Sequence, residues 1–412
     1  MLNLLPLLAG CICFPLLFAN AGDWPQWGGP NRDNVQTEKG LLKKWPEGGP
    51  RLVWMYKQAG SGYAGFSVAE GKLFTMGTRD GNEVLIALDA STGGEKWVAP
   101  IGKVLTNNWG DGPRGTPSVD GKRVYALGGQ GSLICAETET GKVLWTKTMQ
   151  EFGGKTPGWG YTESVLVDGP AVVCTPGGDK GTVIALNKET GATLWQSAEI
   201  KDKAQYASLV PASINGEKQY VQLTMESIFG VSKDAGKLAW RSDFPGKTAV
   251  IPTPVVKGSL VFVTAGYGVG AKMIEIKPGN EVVEAYSNKT MKNHHGGVVL
   301  VGDHIYGYSD GIGWLCMELK SGNQVWAERS RLGKGAIACA DGMLYCVDEG
   351  NGTVVLAEAA PTSWVEHGRF TIDPQSTIRS PQGRIWTHPV IANGRMYLRD
   401  QDLVYCYDVK AK

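Results

Sequence analysis

Six short segments gather the residues best able to do chemistry, and glycine or other small residues flank each. They read NNWGDGPRGTP (107–117), GWGYTES (158–164), AQYAS (204–208), NHHGG (293–297), LGKGA (332–336) and RIWTHP (384–389). Their aromatic candidates are Trp109, Trp159, Tyr161, Tyr206 and Trp386, and their charged candidates are Asp111, Arg114, Glu163 and Lys334. Three of the five histidines, His294, His295 and His388, complete the set. Ring faces with a few convergent charges suit a flat or polar small molecule, such as a quinone or sugar, or a peptide segment. Imidazoles also ligate Zn, Cu or Fe. Adjacent residues of an extended strand point to opposite faces, so only one of His294 and His295 is expected in a shared site, and no metal ligand is assigned. Arg114 and Glu163 have a second reading, an ion pair between structural units. No HExxH, CxxC, G-x-S-x-G or phosphate-loop motif occurs, and the glycine-rich stretch 266–270 lies between strands with no helix after it. No catalytic residue is assigned.

These segments need a scaffold that brings them to one place, and a recurring phrase supplies it. LDASTGGEKW, ETETGKVLW, NKETGATLW, SKDAGKLAW and ELKSGNQVW end at Trp97, Trp145, Trp195, Trp240 and Trp326. Each reads as a strand end, a turn with Gly, then a strand closed by Trp. A period of 40 to 50 residues signals an array of like units. Within a unit, as in 116–145, four short strands alternate with Gly-containing turns, the grammar of a β-propeller blade. The chain holds 57 glycines in 412 residues, about twice the usual ~7%. Many fall in Asp-Gly and Asn-Gly pairs that favour tight hairpins.

Two units are degenerate, one ending at Tyr286 in place of Trp and one at Trp364. The last unit, HPVIANGRMYLRDQDLVYCYDV, has three strands and no Trp strand. Its missing strand is expected from Leu52-Val53-Trp54 near the other end, closing the ring so that no sheet edge is left bare. The fold expected is all-β: one eight-bladed propeller of four-stranded antiparallel blades over 49–412, with 22–48 as a leading segment packed on the outside. In a propeller the loops that enter the innermost strands form one face, so the six segments should share one mouth.

Residues 1–21 are apolar and end in Ala19-Asn20-Ala21, an A-x-A site, which reads as a secretory signal peptide cleaved after Ala21. A membrane anchor and lipidation at Cys11, in Leu8-Ala9-Gly10-Cys11, are the less favoured alternatives. An exported protein of the periplasm or cell envelope is expected, with no spanning segment after Ala21. A net charge of +1, with no basic run, offers no field for nucleic acid. Cys135, Cys316 and Cys406 occupy one repeat position, filled by Ala87 and Ala185 elsewhere, so they read as small core residues. Cys339 and Cys346 flank a tight turn as diagonal neighbours, too far apart for an unstrained disulfide.

The Thr-Gly-x-x-x-Trp phrase after a Leu-Asp-like strand end resembles the repeat of quinoprotein-like propellers. These include pyrroloquinoline quinone-dependent alcohol dehydrogenases and the propeller lipoprotein of the outer-membrane barrel-assembly machinery. The resemblance implies either a non-catalytic binding or scaffold protein of the envelope, or a quinone-dependent alcohol or sugar dehydrogenase using pyrroloquinoline quinone with Ca²⁺. No stretch carries the Ca²⁺ ligands residue by residue, and no two cysteines are adjacent. The scaffold reading is therefore preferred, with a protein partner or small polar ligand at the mouth and a monomeric state. A polysaccharide-binding protein is a third reading.

Overall fold

The structure is a computed structural model that describes residues 22–412. The segment 1–21 expected to be a signal peptide, with Cys11 and the Ala19-Asn20-Ala21 site, lies outside the described residues. Eight four-stranded antiparallel blades follow one another along the chain as a ring, the seventh carrying Val35–Gln36 as a fifth, parallel strand. Blade 1 runs from Ser67–Ala69 to Glu95–Lys103, and blade 8 starts at Val390–Ala392. The strand Leu52–Tyr56 pairs antiparallel with Leu403–Asp408, setting Trp54 opposite Cys406 and completing blade 8 as expected. One 3-10 turn, Met149–Phe152, interrupts the strands. Among the described residues no helix is long and apolar enough to cross a membrane.

The repeated phrase works as a latch between blades. The indole N–H of Trp54 donates to the Ala90 carbonyl, that of Trp97 to Thr138, that of Trp145 to Lys188 and that of Trp195 to Lys233. Each acceptor lies in the Gly turn of the next blade. The turn glycine takes positive φ and lets the preceding blade's indole lie against it. A Cβ on Gly93 would stand 2.6 Å from Trp54, and one on Gly141 would stand 2.5 Å from Trp97. Both demands single out glycine. Opposite the Trp, inside the blade, stands a small residue: Ala87, Cys135, Ala185, Gly230, Cys316 or Cys406. The cysteines read as core filler are indeed buried and unpaired, and Cys339 and Cys346 face Leu344 and Ile337 rather than each other.

Two sequence expectations are corrected. The Trp does not close its strand but sits near the start of it, as Trp97 does in Glu95–Lys103. In blade 7 the outer strand is Glu366–Thr371, beginning after Trp364. Its latch position holds Gly368, and Trp45 of the leading segment fills the gap. A Cβ on Gly368 would fall 2.7 Å from Trp45 Cβ. The Trp45 ring lies 6.1 Å from Tyr345, matching the 6.0 Å of Tyr125–Trp145 in blade 2.

Only the later part of the leading segment packs on the outside as expected, Leu42 donating its N–H to the Val409 carbonyl and Trp45 to that of His367 in the outer strand of blade 7; the part before it does not. It enters the central channel and leaves it on the same side. Trp24 bridges Val68 of blade 1, and Val119 of blade 2 donates its N–H to the Pro25 carbonyl. The chain then turns over Gly28 and Gly29 and returns as Val35–Gln36, parallel to the innermost strand of blade 7. Gln36 Nε2 reaches the Ile391 carbonyl of blade 8. The physical reason is hydrogen-bond demand: the inner strands leave free edges facing the channel, and a segment rich in Asn, Arg and Gln satisfies them.

Candidate functional site

The tip of this plug is the floor of a cavity of about 650 Å³ that opens at the mouth. Trp27, Asn31 and Arg32 form the floor, and loops entering the inner strands form the wall. Of the twelve sequence candidates, nine line the cavity: Trp109, Arg114, Trp159, Tyr206, His294, His295, Lys334, Trp386 and His388.

Three candidates do not. Asp111 caps its own loop, accepting the Asn107 N–H at 2.8 Å, while Asn107 Oδ1 takes the Trp109 N–H at 2.9 Å. That turn holds the Trp109 ring out over the cavity, 42% exposed. Tyr161 is core, its hydroxyl donating to the Pro176 carbonyl. Glu163 is buried in the channel wall, accepting from Thr175 N at 2.6 Å, Thr175 Oγ1 at 2.9 Å and Gln222 Nε2 at 3.2 Å. Burial pushes its carboxyl up to about 7, opposed by those bonds and by the charge of Arg32. The Arg114–Glu163 ion pair, the second reading of these residues, does not form; Glu163 instead feels the charge of Arg32, which the plug brings into the channel. Arg32 itself donates to the Leu209, Ser164 and Val165 carbonyls at 2.9, 2.6 and 3.3 Å.

Arg114 is clamped by backbone. Its Nε donates to the Trp159 carbonyl at 2.7 Å and its Nη2 to the Gly110 carbonyl at 2.8 Å, with the guanidinium over the Tyr63 ring. Burial lowers its pKa.

Both His294 and His295 line the cavity, against the strand-alternation argument. Residues 291–297 form a bend rather than a strand, tied down by Asn293 Nδ2 to the Gly297 and Tyr308 carbonyls. The two rings lie 3.7 Å apart. Lys334 Nζ, paired to Asp310 at 2.7 Å, donates to His294 Nδ1 at 2.7 Å, so His294 Nε2 carries the proton and donates to Tyr267 at 2.6 Å. Burial and the Lys334 charge hold His294 down to about 4. His295 stacks on Trp386 at 4.6 Å, and burial, then its cationic and imidazole neighbours, hold it well below the usual range. His388 Nε2 donates to the His295 carbonyl at 2.8 Å, and burial lowers it to about 4. The cluster is therefore neutral at pH 7.

Sequence reasoning missed Tyr63, Tyr267, Glu349 and Arg384, as well as the floor residues. Tyr267 sits in the stretch 266–270, set aside as a turn, and its positive φ is the local cost of that turn. Glu349 accepts the Trp386 indole N–H at 3.2 Å and lies 4.0 Å from His295 Nδ1. Burial raises it to about 7. Its folded pKa lies above the ~4.3 of an unfolded glutamate. Its contribution therefore favours folding below about pH 4.3, falls as the pH rises to 7, and is flat above. Glu349→Gln keeps an acceptor for Trp386. The stability of this variant relative to the parent is expected to rise by roughly 3 kcal/mol between about pH 4.5 and 8, at 1.36 kcal/mol per unit. Urea unfolding across that range measures it, and a difference independent of pH would contradict it.

A family model described as outer membrane protein assembly factor BamB matches residues 81–328, which span blade 1 to blade 6. The chain belongs to this family. It is also 26% identical to the outer membrane protein assembly factor BamB of Xanthomonas campestris over 189 residues, 44% of this chain and 42% of that relative. It thus matches less than half the length of the curated relative. BamB from Moraxella catarrhalis superposes with a TM-score of 0.63 at 14% identity, over 87% of this chain and 99% of that one. The quinohemoprotein alcohol dehydrogenase of Comamonas testosteroni gives 0.64 at 11% identity, over 95% and 81%. At these identities the structures share the fold with this family member and nothing more.

The cavity residues do not fit the Ca²⁺ that accompanies the quinone. Ca²⁺ takes six to eight oxygen ligands, several of them ionised. The carboxylates lining the cavity are Asp33 and Glu349, both pushed toward the protonated form by burial. Asp33 is also tied to the Val35 N–H. Among the described residues no three His, Cys, Asp or Glu side chains are placed to hold a metal ion together. No step through that cofactor is derived.

Proposed function

We propose that this protein is a non-catalytic binding scaffold of the bacterial cell envelope, exported by the leader 1–21 and binding a protein segment or small polar ligand at the propeller mouth. The observation that carries this reading is the family match over 81–328. It is supported by a ring sealed on one side by its own leading segment, which leaves one concave, ring-lined opening. The relatives are named for outer membrane protein assembly, and we extend that role to this chain as the working activity.

Two measurements test it. N-terminal sequencing of the protein from the envelope fraction is expected to begin at Gly22, and recovery from the cytoplasm with Met1 intact would contradict export. Affinity capture of the tagged full chain from envelope extract is expected to enrich a partner about tenfold over a Trp109→Ala/Trp386→Ala double variant, the loss of roughly 1.4 kcal/mol. Equal recovery by both forms, or dye-linked alcohol oxidation once pyrroloquinoline quinone and Ca²⁺ are added, would overturn the reading.

A further inference from the structure

Three guanidinium groups line the cavity with no carboxylate bonded to them. Arg114 and Arg32 donate to backbone carbonyls, with Gln26 Oε1 a further acceptor for Arg32. Arg384 Nη1 donates to the Pro381 and Gly383 carbonyls. A carbonyl satisfies a donor without neutralising the cation. Glu163 acts on Arg32, Glu83 and Asp111 on Arg114, and Glu349 on Arg384 through space, none of them bonded to it, and in a concave wall such a cation still attracts an anion.

The ligand must also be flat and apolar on a face, because Trp109, Trp159 and Trp386 present rings to the same space. Beside the cavity lies a second, shallower one of about 420 Å³, whose polar lining is Ser61, Asn107, Asn108, Asp111, Ser380, Gln382 and Gln401. Gln382 lines both, and Trp109 stands on the wall between them. The well is thus aromatic, with Arg32, Arg114, Arg384 and Lys334 against Asp33 and Glu349, and the shelf is amide and hydroxyl with one carboxylate, Asp111, which accepts the Asn107 N–H.

Three buried polar atoms in these walls have no hydrogen-bond partner: His295 Nδ1, which lies 4.0 Å from Glu349, and one atom each of Gln401 and His388. Gln401 is 3% exposed; its Oε1 takes the Gly62 N–H, but its Nε2 donates to nothing. His388 is 7% exposed; its Nε2 proton is committed to the His295 carbonyl, leaving Nδ1 an acceptor without a donor. One wall therefore lacks an acceptor and the other lacks a donor, and a hydroxyl supplies either. A peptide strand fits less well. Inner-strand N–H groups of blades 2 and 7 are already taken by Pro25 and Asn34, so the mouth offers ring faces and side chains rather than a free edge.

We infer that the mouth binds an acidic oligosaccharide, an anionic sugar seated in the ring-lined well near Arg114 and Arg384 with neighbouring sugars across the amide shelf. Pyranose C–H faces stack on the tryptophans, hydroxyls meet Gln401 and His388, and the carboxylate meets the guanidinium groups. The inference rests on the mouth being the binding site proposed above.

The test titrates the full mature chain with trigalacturonic acid, its trimethyl ester, sodium sulfate and an acidic tripeptide, following tryptophan fluorescence and calorimetry. Trigalacturonate is expected to bind with Kd below about 1 mM and about tenfold tighter than the uncharged ester, the worth of one charge-assisted bond. Trp109→Ala, a change at an exposed ring, and Arg384→Gln are each expected to weaken binding about fivefold. Equal affinity for the ester, displacement by equimolar sulfate, tighter binding of the tripeptide, or no binding by the folded wild type would overturn the inference. Partner capture that still depends on Trp109 and Trp386, with no sugar binding, would sink the sugar ligand and leave the scaffold reading standing.

Discussion

Arg32→Ala is expected to lower the unfolding free energy by about 3–5 kcal/mol, the cost of removing one partner of a buried charged set. The side chain is 2% exposed and reaches three carbonyls from blades 3 and 4. Without it, those buried carbonyls lose their donors, and the Glu163 carboxyl loses the cation that offsets its burial. Burial already lowers the Arg32 pKa to about 10, a sign of the desolvation its bonds must offset. Arg32→Lys keeps the charge, but its three donors radiate from one nitrogen and do not span the acceptors served by Nε, Nη1 and Nη2, so it is expected to recover less than half of the loss. Urea unfolding measures both. Limited proteolysis adds a local readout, because the 22–48 segment should become cleavable before the blades do. A loss under about 1 kcal/mol, with the leading segment still protected, would mean the plug is held by its aromatic contacts alone.

The second large effect concerns the latch. Trp145→Ala is expected to cost about 3 kcal/mol, the low end for a tryptophan because this ring is only half-buried. The ring packs 6.0 Å from Tyr125, lies against Gly191 of the next blade and donates to the Lys188 carbonyl. Trp145→Phe keeps much of the packing and loses the bond, so about 1 kcal/mol of the cost should remain. Thermal unfolding of the two variants separates packing from hydrogen bonding. Blade 4 is a built-in contrast, since its Trp240 turns inward to Gln219 Oε1 at 2.7 Å instead of reaching the next turn. The next blade is the degenerate one, where a Cβ on Gly279 would meet nothing within 4 Å.

The ring was legible because its signal is periodic. One phrase repeated along the chain gives the blade, the turn glycine and the packed Trp, and its missing copy at the end points to Leu52–Trp54. What was not legible lacks a period. The segment 22–48 carries no strand pattern, and its place in the channel follows from polar groups such as Gln36 and Arg32 meeting inner-strand edges far away in sequence. Trp45 standing in for a repeat Trp has the same origin: Gly368 makes room for it, and a single glycine in a degenerate blade carries no visible message. At the mouth, residue type located nine of the twelve candidates, because glycine-rich loops between blades converge by symmetry. Side-chain direction was lost where a loop residue turned inward, as for Tyr161 and Glu163. It was lost again where a bend replaced a strand, as for His294 and His295. Glu349 was hidden because it follows a strand of blade 7 rather than one of the six segments.

The central claim is that this family member binds its ligand or partner in the mouth, over the plug. Site-specific photocrosslinking in envelope preparations tests it most directly, with benzoylphenylalanine placed at Trp109 on the mouth or at Lys122, an exposed turn residue at the other end of the blade 2 strands. The account predicts a discrete crosslinked product from position 109, diminished by Arg384→Gln, and none from position 122. Crosslinking from 122 alone, or equally from both, would contradict it.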